Sequence, residues 1–267
     1  MQITKITAAR NLFQCGCCAT LIGLAGGSAT GATIDGYYVN PRVYNDMPGS
    51  TLTITPGAPI NANPATININ DQFAGAGVNR HDVLASGDGG LTPYTFGIDD
   101  SFLFTTRLTL TAGNNSPRKE AGIRFNAPGF GDMLFLVNSD AGEIVTFGGP
   151  FHLFGSGLTG YTPGTSILLG VREIGGGDGI GGVPSTIEFF INYGAGIVTT
   201  GALPWTNLEG GLPSFQMGVY AQGGTAGNGD FMNALFSDTT YTVIPEPGTF
   251  TLLGLGAAGW LAFRRKR

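Results

Sequence analysis

The chain has 267 residues and a formal net charge of −5, with 42% apolar residues, 12% charged residues and 46 glycines. The apolar share is large enough for a buried core, whereas the charged share is about half of the ~25% usual in soluble domains. Seven of the 13 basic and 17 of the 18 acidic residues lie in residues 33–244, which therefore carry a net charge of −10. Such an acidic segment repels phosphate backbones, so we expect no nucleic-acid partner.

Residues 1–32 have the pattern of a secretory signal peptide. Lys5 and Arg10 provide a positive start, and the apolar stretch at residues 19–25 is too short to span a bilayer comfortably. Cleavage is expected after one of two small residues, Ala32 or Ala29. All three cysteines lie in this leader: Cys15, Cys17 and Cys18. Residues 33–244 therefore have no cysteine for a disulfide, a thiolate metal site or a nucleophile.

Residues 33–244 alternate repeatedly between apolar and polar side chains and contain no convincing amphipathic helix. A run with period 2 buries one face of a strand. The expected strands are 101–111, 131–138, 165–173, 186–193, 214–221 and 231–243. Residues 33–90, with short runs at 51–55 and 66–70, are expected to supply the first strands and a long covering loop. Turn sequences rich in Gly, Asn and Pro separate them. We therefore predict an all-β fold, an antiparallel β-sandwich of roughly a dozen strands.

Few polar side chains are positioned for catalysis in this segment. A glycosidase on such a sheet would need two carboxylates ~5 to 9 Å apart, but Glu188 has Phe190 and Asn192 at the next positions on its face. A lone carboxylate beside an aromatic ring and an amide suits sugar binding, so Glu188 and Asn192 are candidate carbohydrate contacts. Tyr193 and Tyr220 are expected to join them on one concave sheet face. An ordinary solvated face is the alternative.

No metal site is expected, and no cofactor. His81 and His152 lack partners at metal-ligand spacing, so each is expected to be an ordinary surface or sheet-edge residue. Asp88 and Asp178 lie in Gly/Asp loops that could lend oxygens to Ca²⁺. Neither loop has several regularly spaced carboxylates, so turn formation is the expectation and calcium the alternative.

Residues 245–267 combine a Pro-Glu-Pro tripeptide, an uncharged apolar span and a basic end. As a helix, residues 249–263 would reach about 22 Å, less than a hydrocarbon core of about 30 Å. The side chains expected to anchor it are Thr249, Leu252, Leu253, Leu255, Trp260, Leu261 and Phe263. Four basic residues follow, Arg264, Arg265, Lys266 and Arg267, and should stay cytoplasmic by the positive-inside rule. We predict a transmembrane helix with residues 33–244 outside the cytoplasm; a buried core helix, the alternative, would rarely end in four basic residues.

This order of elements resembles the PEP-CTERM sorting signal of Gram-negative bacteria. The resemblance covers about the last 25 residues and implies processing at or near Pro245, Glu246 and Pro247 by an integral-membrane exosortase. Two prolines prevent a helix and keep the chain extended, as a protease substrate must be. The resemblance also implies a link to cells that produce exopolysaccharide and form biofilms.

The segment before this signal also resembles a known fold. Its size, strand spacing and the hairpin pattern at residues 188–200 are similar to the concanavalin A-like, laminin-G-like jelly roll. Sequence phrases at residues 87–90, 118–122 and 147–150 look like those of PEP-CTERM proteins with this kind of body. The resemblance implies a β-sandwich body between two targeting segments.

Three functions are compatible with these features. The first is a non-catalytic envelope or matrix protein that is exported, held in the inner membrane facing the periplasm, and released to the cell surface after processing. Its partners would be the secretion machinery, the exosortase, the inner membrane and exopolysaccharide. The second is a lectin-like carbohydrate-binding protein. The third, a glycoside hydrolase, would need an acid pair that the sequence does not present.

Overall fold

The computed structural model describes residues 33–97, 100–127, 131–175, 185–204, 214–225 and 227–244. The predicted signal peptide (residues 1–32) and the predicted sorting signal (residues 245–267) lie outside these residues. The described residues form sixteen strands: β1 (Gly36–Asn45), β2 (Thr51–Thr55), β3 (Ala65–Gln72), β4 (Gly77–Ser86), β5 (Phe96–Gly97), β6 (Phe102–Ala112), β7 (Lys119–Ala127), β8 (Gly131–Asn138), β9 (Ile144–Phe147), β10 (His152–Gly155), β11 (Ser166–Ile174), β12 (Thr186–Asn192), β13 (Ile197–Thr199), β14 (Leu203–Pro204), β15 (Ser214–Thr225) and β16 (Phe231–Val243). A single 3₁₀ turn at Gly157–Thr159 interrupts them, and no helix in the described ranges is long and apolar enough to cross a membrane.

The strands form two antiparallel sheets. Sheet I has the order β1-β4-β15-β7-β8-β9-β10, with β5 paired to β15. Sheet II has the order β13-β12-β11-β6-β16-β3-β2, with β14 paired to β12. The chain passes between the sheets repeatedly, for example from β3 to β4, from β6 to β7 and from β15 to β16, as in a jelly roll. The predicted antiparallel β-sandwich is confirmed.

The core lies between the sheets and comes from the inward half of each alternating strand. In β6, Phe102, Phe104, Leu108 and Leu110 are fully buried, while Arg107 points outward. Aromatic rings from both sheets pack together here, with centroid distances of 5.4 Å between Phe96 and Tyr241 and 6.2 Å between Phe102 and Phe215. The aromatic pairs include Phe96–Phe215, Phe125–Phe215 and Phe102–Tyr241. Burying each ring contributes ~1.5–3 kcal/mol, so this packing fixes the two sheets together.

In sheet I, strand β4 lacks the alternation that marks β6 and β12 of sheet II. In β4, residues 79–86 are all buried, and polar side chains face both the core and the outside. His81 faces inward and is fully buried, so the expectation of a surface or sheet-edge position was wrong for this histidine. Its Nδ1 accepts a hydrogen bond from the Arg42 N–H (3.1 Å), and its Nε2 lies 2.9 Å from Asp71 Oδ2. The proton therefore sits on Nε2, and His81 joins β1, β4 and β3 rather than binding a metal.

Candidate functional site

The candidate site lies on the outer face of sheet II, where β12 presents Glu188, Phe190 and Asn192. These three side chains are partly exposed, whereas Ile187, Phe189 and Ile191 are buried in the core. The shared face follows directly from the two-residue period of a strand.

Phe190 lies flat on the sheet because its cross-strand neighbour has no side chain. Phe190 pairs with Gly170 of β11 in the register. A Cβ atom at Gly170 would stand only 2.1 Å from Phe190 Cζ and 2.3 Å from its Cε2. The ring therefore occupies the space above the Gly170 backbone and turns one aromatic face away from the sheet.

Next to this ring, Glu188 is held by two neighbours. Arg172, its cross-strand partner in β11, donates from Nη2 to Glu188 Oε2. Thr199 in β13 donates from its hydroxyl to Glu188 Oε1. Glu188 is 14% exposed and Arg172 is 51% exposed. Both carboxylate oxygens therefore have a donor, and the Arg172–Glu188 pair carries no net charge.

These side chains enclose a groove with a volume of about 290 Å³. We call it the sheet II groove; it is lined by Leu103, Arg172, Glu188, Phe190, Ile197 and Thr199. Its volume is close to the lower end of small-molecule pockets, ~300 Å³. The lining is mainly apolar, with the Arg172–Glu188–Thr199 row along it, so it offers one apolar platform beside fixed donors and acceptors.

The other two predicted contacts on this sheet have local roles. Asn192 accepts a hydrogen bond from the Gly194 N–H (2.9 Å) and so shapes the β12–β13 turn. The Tyr193 hydroxyl accepts from the Thr162 N–H (3.1 Å) and lies 2.7 Å from Thr165 Oγ1. Neither residue lines the sheet II groove.

Tyr220 belongs to sheet I, and the prediction that it shares one face with Glu188 was wrong. It is fully buried and packs with Leu136 and Val145. Its hydroxyl lies 3.4 Å from Glu120 Oε1, and burial raises the pKa of Tyr220 well above its usual value. Alternation predicts which side of a strand a residue takes, but not which sheet the strand joins.

Beside Tyr220 lies a buried set of ion pairs, the arginine network, formed by Arg80, Asp82, Arg124 and Asp132. Arg124 donates from Nη1 to Asp82 and from Nε to Asp132 Oδ1 (3.0 Å). Arg80 donates to Asp82 Oδ1 (3.2 Å) and Asp132 Oδ2 (2.9 Å), and its guanidinium stands 5.0 Å from the Tyr220 ring centroid. Burial raises the pKa of Asp82 even though both arginines favour its charged form. The network links β4, β7 and β8 and has no net charge.

Asp88, one of the two calcium alternatives, closes a turn. Its carboxylate accepts hydrogen bonds from the hydroxyls of Ser86 (2.6 Å) and Thr92 (2.7 Å). The backbone N–H groups of Thr92 (2.9 Å) and Leu91 (3.0 Å) donate to it as well. These donors, Ser86 foremost, hold the pKa of Asp88 well below its usual range. Asp178 lies outside the described residues, and within them no group of three or more His, Cys, Asp or Glu is placed to hold a metal.

Comparison with protein-family models gives one match, at the C-terminus: residues 243–267 match the model of the PEP-CTERM protein-sorting motif. The chain carries a PEP-CTERM sorting motif. No curated protein matches the sequence.

Several solved structures resemble the body at low identity. An alginate lyase from Corynebacterium sp. is 14% identical over 79% of this chain and 94% of that chain, with a TM-score of 0.47. Peanut lectin is 13% identical over 78% of this chain and 97% of that chain, with a TM-score of 0.43. A carbohydrate-binding module from Bacillus subtilis is 11% identical over 73% of this chain and 96% of that chain, with a TM-score of 0.37.

Sequence reasoning missed Gly170, Arg172 and Thr199, which position Phe190 and Glu188 in the groove. Their importance comes from the register between strands, which a single strand pattern does not contain. One signal was present, since Arg172 and Glu188 carry opposite charges and lie in two strands that are consecutive in the chain. Opposite charges that face each other across an antiparallel strand pair favour this register.

Proposed function

We propose that this chain is an exported cell-envelope protein that an exosortase sorts and processes through its PEP-CTERM motif. The match at residues 243–267 carries this proposal. The body ends where the motif begins: β16 ends at Val243, and the Ile244 N–H donates to the Ser101 carbonyl (2.9 Å). Cleavage at or after Pro245–Pro247 would therefore remove no residue of the sandwich. The released body would keep its fold and have a non-catalytic structural or adhesive role in the exopolysaccharide layer.

The proposed route uses both ends of the chain. The leader, residues 1–32, would direct export and be removed after Ala32 or Ala29. The span at residues 249–263 would hold the protein in the inner membrane, with its basic end in the cytoplasm and the body facing the periplasm. Processing would then free the body for the cell surface.

The decisive measurement is the mass of the protein recovered from cells with and without the exosortase. In cells with the enzyme, we expect a mass that lacks both the leader and the residues after the cleavage point. In cells without it, we expect the C-terminal residues to remain and the protein to stay in the membrane fraction. A full-length, unclipped protein in the cytosol of both strains would overturn the proposal.

A second candidate function, lectin-like carbohydrate binding by the body, is favoured by the sheet II groove. The groove combines an aromatic face with a fixed carboxylate, a guanidinium and a hydroxyl, and an apolar lining with a few convergent polar groups is typical of small-molecule sites. A sugar has both an apolar C–H face and hydroxyls to match them. Among the described residues that line the groove, Glu188 is the only acid, whereas glycoside hydrolysis uses two. A glycan array, read with and without calcium, tests this function; an array without any bound glycan would contradict it. Release of reducing ends from a polysaccharide by the purified protein would contradict a non-catalytic role.

A further inference from the structure

We propose that the sheet II groove binds a pyranose unit of a neutral polysaccharide, with the apolar face of the sugar stacked on Phe190 and its hydroxyls bonded to Arg172 and Glu188. This inference rests on the proposed carbohydrate-binding role and adds the class of ligand and the residues that select it.

The platform is the first support. The Phe190 ring lies over Gly170, where a Cβ would meet three ring carbons at 2.1–2.6 Å. One face of the ring is therefore supported by backbone, and the ring lines the groove together with Leu103 and Ile197. The axial C–H groups of a pyranose give it a flat apolar face of similar size to a phenyl ring. Stacking the two removes apolar surface from water without burying a hydroxyl.

The polar row is the second support. Glu188 keeps lone pairs on both oxygens beyond those used by Arg172 and Thr199, because each carboxylate oxygen can accept two hydrogen bonds. Within the described part of the chain, Arg172 uses only Nη2 for a side-chain bond, and half of the residue is exposed. Its remaining N–H groups are therefore available to sugar hydroxyls. The ion pair holds both side chains in place before a ligand arrives, which lowers the entropy cost of binding.

Charge selects the class of polysaccharide. The Arg172–Glu188 pair is neutral as a unit, so the groove has no uncompensated cation for a uronate or a sulfate. Residues 33–244 carry a net charge of −10, which repels a polyanion at low ionic strength. A neutral hexose polymer needs no cation in the groove and is not repelled by the negative charge.

The test is calorimetric titration of the full chain in a detergent without sugar headgroups. Three probes of equal length are used: a glucose hexamer, a mannose hexamer and a uronic acid hexamer. We expect at least one neutral hexamer to bind and the uronic acid hexamer to bind at least about tenfold more weakly. Phe190→Ala should weaken neutral binding by roughly tenfold or more. Phe151→Ala is the matched control, because Phe151 is a 66% exposed aromatic residue preceding β10 at the edge of sheet I.

The Gly170→Ala variant keeps the Phe190 ring but changes its position, so it tests whether binding depends on where the ring lies. The three atoms nearest the added methyl all belong to the far end of the Phe190 ring, so we expect the ring to move, the protein to fold, and binding to be as weak as in Phe190→Ala. Phe190→Trp should retain binding, and its emission should shift when the neutral hexamer is added. The same tryptophan combined with Gly170→Ala should lose that shift, which a merely structural role of Gly170 would not cause.

Each remaining outcome is decisive. Neutral binding that survives both Phe190→Ala and Gly170→Ala would overturn the groove as the site while leaving carbohydrate binding intact. Equal or tighter binding of the uronic acid hexamer would overturn the neutral class. Failure of the unmodified protein to bind any hexamer would overturn the inference and count against the lectin-like role, whereas the sorting proposal is judged separately by the mass measurement.

Discussion

The outer faces of sheet I and sheet II both consist of antiparallel strands, but their charged side chains differ in burial. On sheet I, Arg80, Asp82 and Arg124 are almost fully buried and bond to one another or to Asp132. On sheet II, the Arg172–Glu188 pair stands beside an open groove with the guanidinium half exposed. The buried charges on sheet I stabilise the fold. The exposed Arg172–Glu188 pair on sheet II can also contact a ligand.

The physical reason for the difference is the number of partners each charge has within the sheet. On sheet I, two guanidinium groups and two carboxylates pair in alternation, so every charge meets two opposite ones. On sheet II, the Arg172–Glu188 pair lies beside Phe190 and Thr199, and among the described residues no second ion pair joins it. A buried pair is costly to break, whereas an exposed pair contributes little to stability.

The largest expected effect is the loss of Arg124. In Arg124→Met, the fully buried Asp82 and its neighbour Asp132 lose a shared donor, and the burial that already raises the pKa of Asp82 is no longer offset by this cation. We expect the free energy of unfolding to fall by about 3–5 kcal/mol, measured by urea denaturation followed by circular dichroism. Arg172→Met is the matched control on sheet II and should cost less than ~1 kcal/mol. Similar losses in the two variants would show that the two faces do not differ in this way.

A smaller, pH-dependent effect is expected at Glu120. Burial raises the pKa of Glu120, and the nearby charge of Arg118 only partly opposes this. The carboxyl group of Glu120 therefore binds its proton more tightly in the folded state than in the unfolded state. The resulting stability is fully present below the ordinary pKa of the group and is lost as pH rises through the raised value.

Glu120→Gln removes that titration while keeping an acceptor for the Tyr220 hydroxyl. The variant should match the unmodified protein at low pH and become relatively more stable as pH rises towards 8. Unfolding free energies measured at several pH values would detect the growing difference. A difference that is constant with pH would mean that Glu120 titrates alike in the folded and unfolded chains.

A still smaller effect is expected for the coupling between Arg172 and Glu188. A double-mutant cycle with Arg172→Met and Glu188→Gln should give a coupling energy of about 0.2–1 kcal/mol for unfolding. In the same cycle, both single variants should weaken binding of a neutral hexamer, because each removes a group on the open side of the groove. A coupling energy as large as the loss at Arg124 would place this pair among the structural ion pairs instead.

The burial of polar side chains in sheet I also explains which strands could be predicted from the sequence. The strands at 131–138 and 231–243 were predicted with their observed bounds. Their buried side chains include the regularly spaced apolar sets Met133, Phe135 and Val137 in β8 and Met232, Ala234 and Phe236 in β16. By contrast, β4 and β7 were missed. Asn79 and His81 point into the core from β4, and Lys119 is buried from β7 against Asp230. When polar side chains are buried with hydrogen-bond partners from distant parts of the chain, the sequence no longer alternates between apolar and polar residues.

The same limit applies to the groove. Alternation was sufficient to group Glu188 with Phe190, because both belong to one strand. The roles of Gly170 and Thr199 required the register of neighbouring strands, and the separation of Tyr220 from Glu188 required the sheet order. Each of these depends on contacts between residues far apart in the chain, which local patterns do not encode.

The smallest expected effect is that of metal removal. The Asp88 carboxylate already accepts hydrogen bonds from two hydroxyls and two backbone N–H groups, so a Ca²⁺ ion would have to displace donors that hold its turn closed. We expect EDTA and added calcium to leave both the thermal midpoint and the binding of a neutral hexamer unchanged. Differential scanning calorimetry and titration with each additive measure this directly.

A midpoint that rises with calcium in the unmodified protein but not in Asp88→Asn would assign the ion to this loop. A rise that persists in Asp88→Asn would assign the ion to a site that does not use Asp88, with Asp178 as the next residue to substitute.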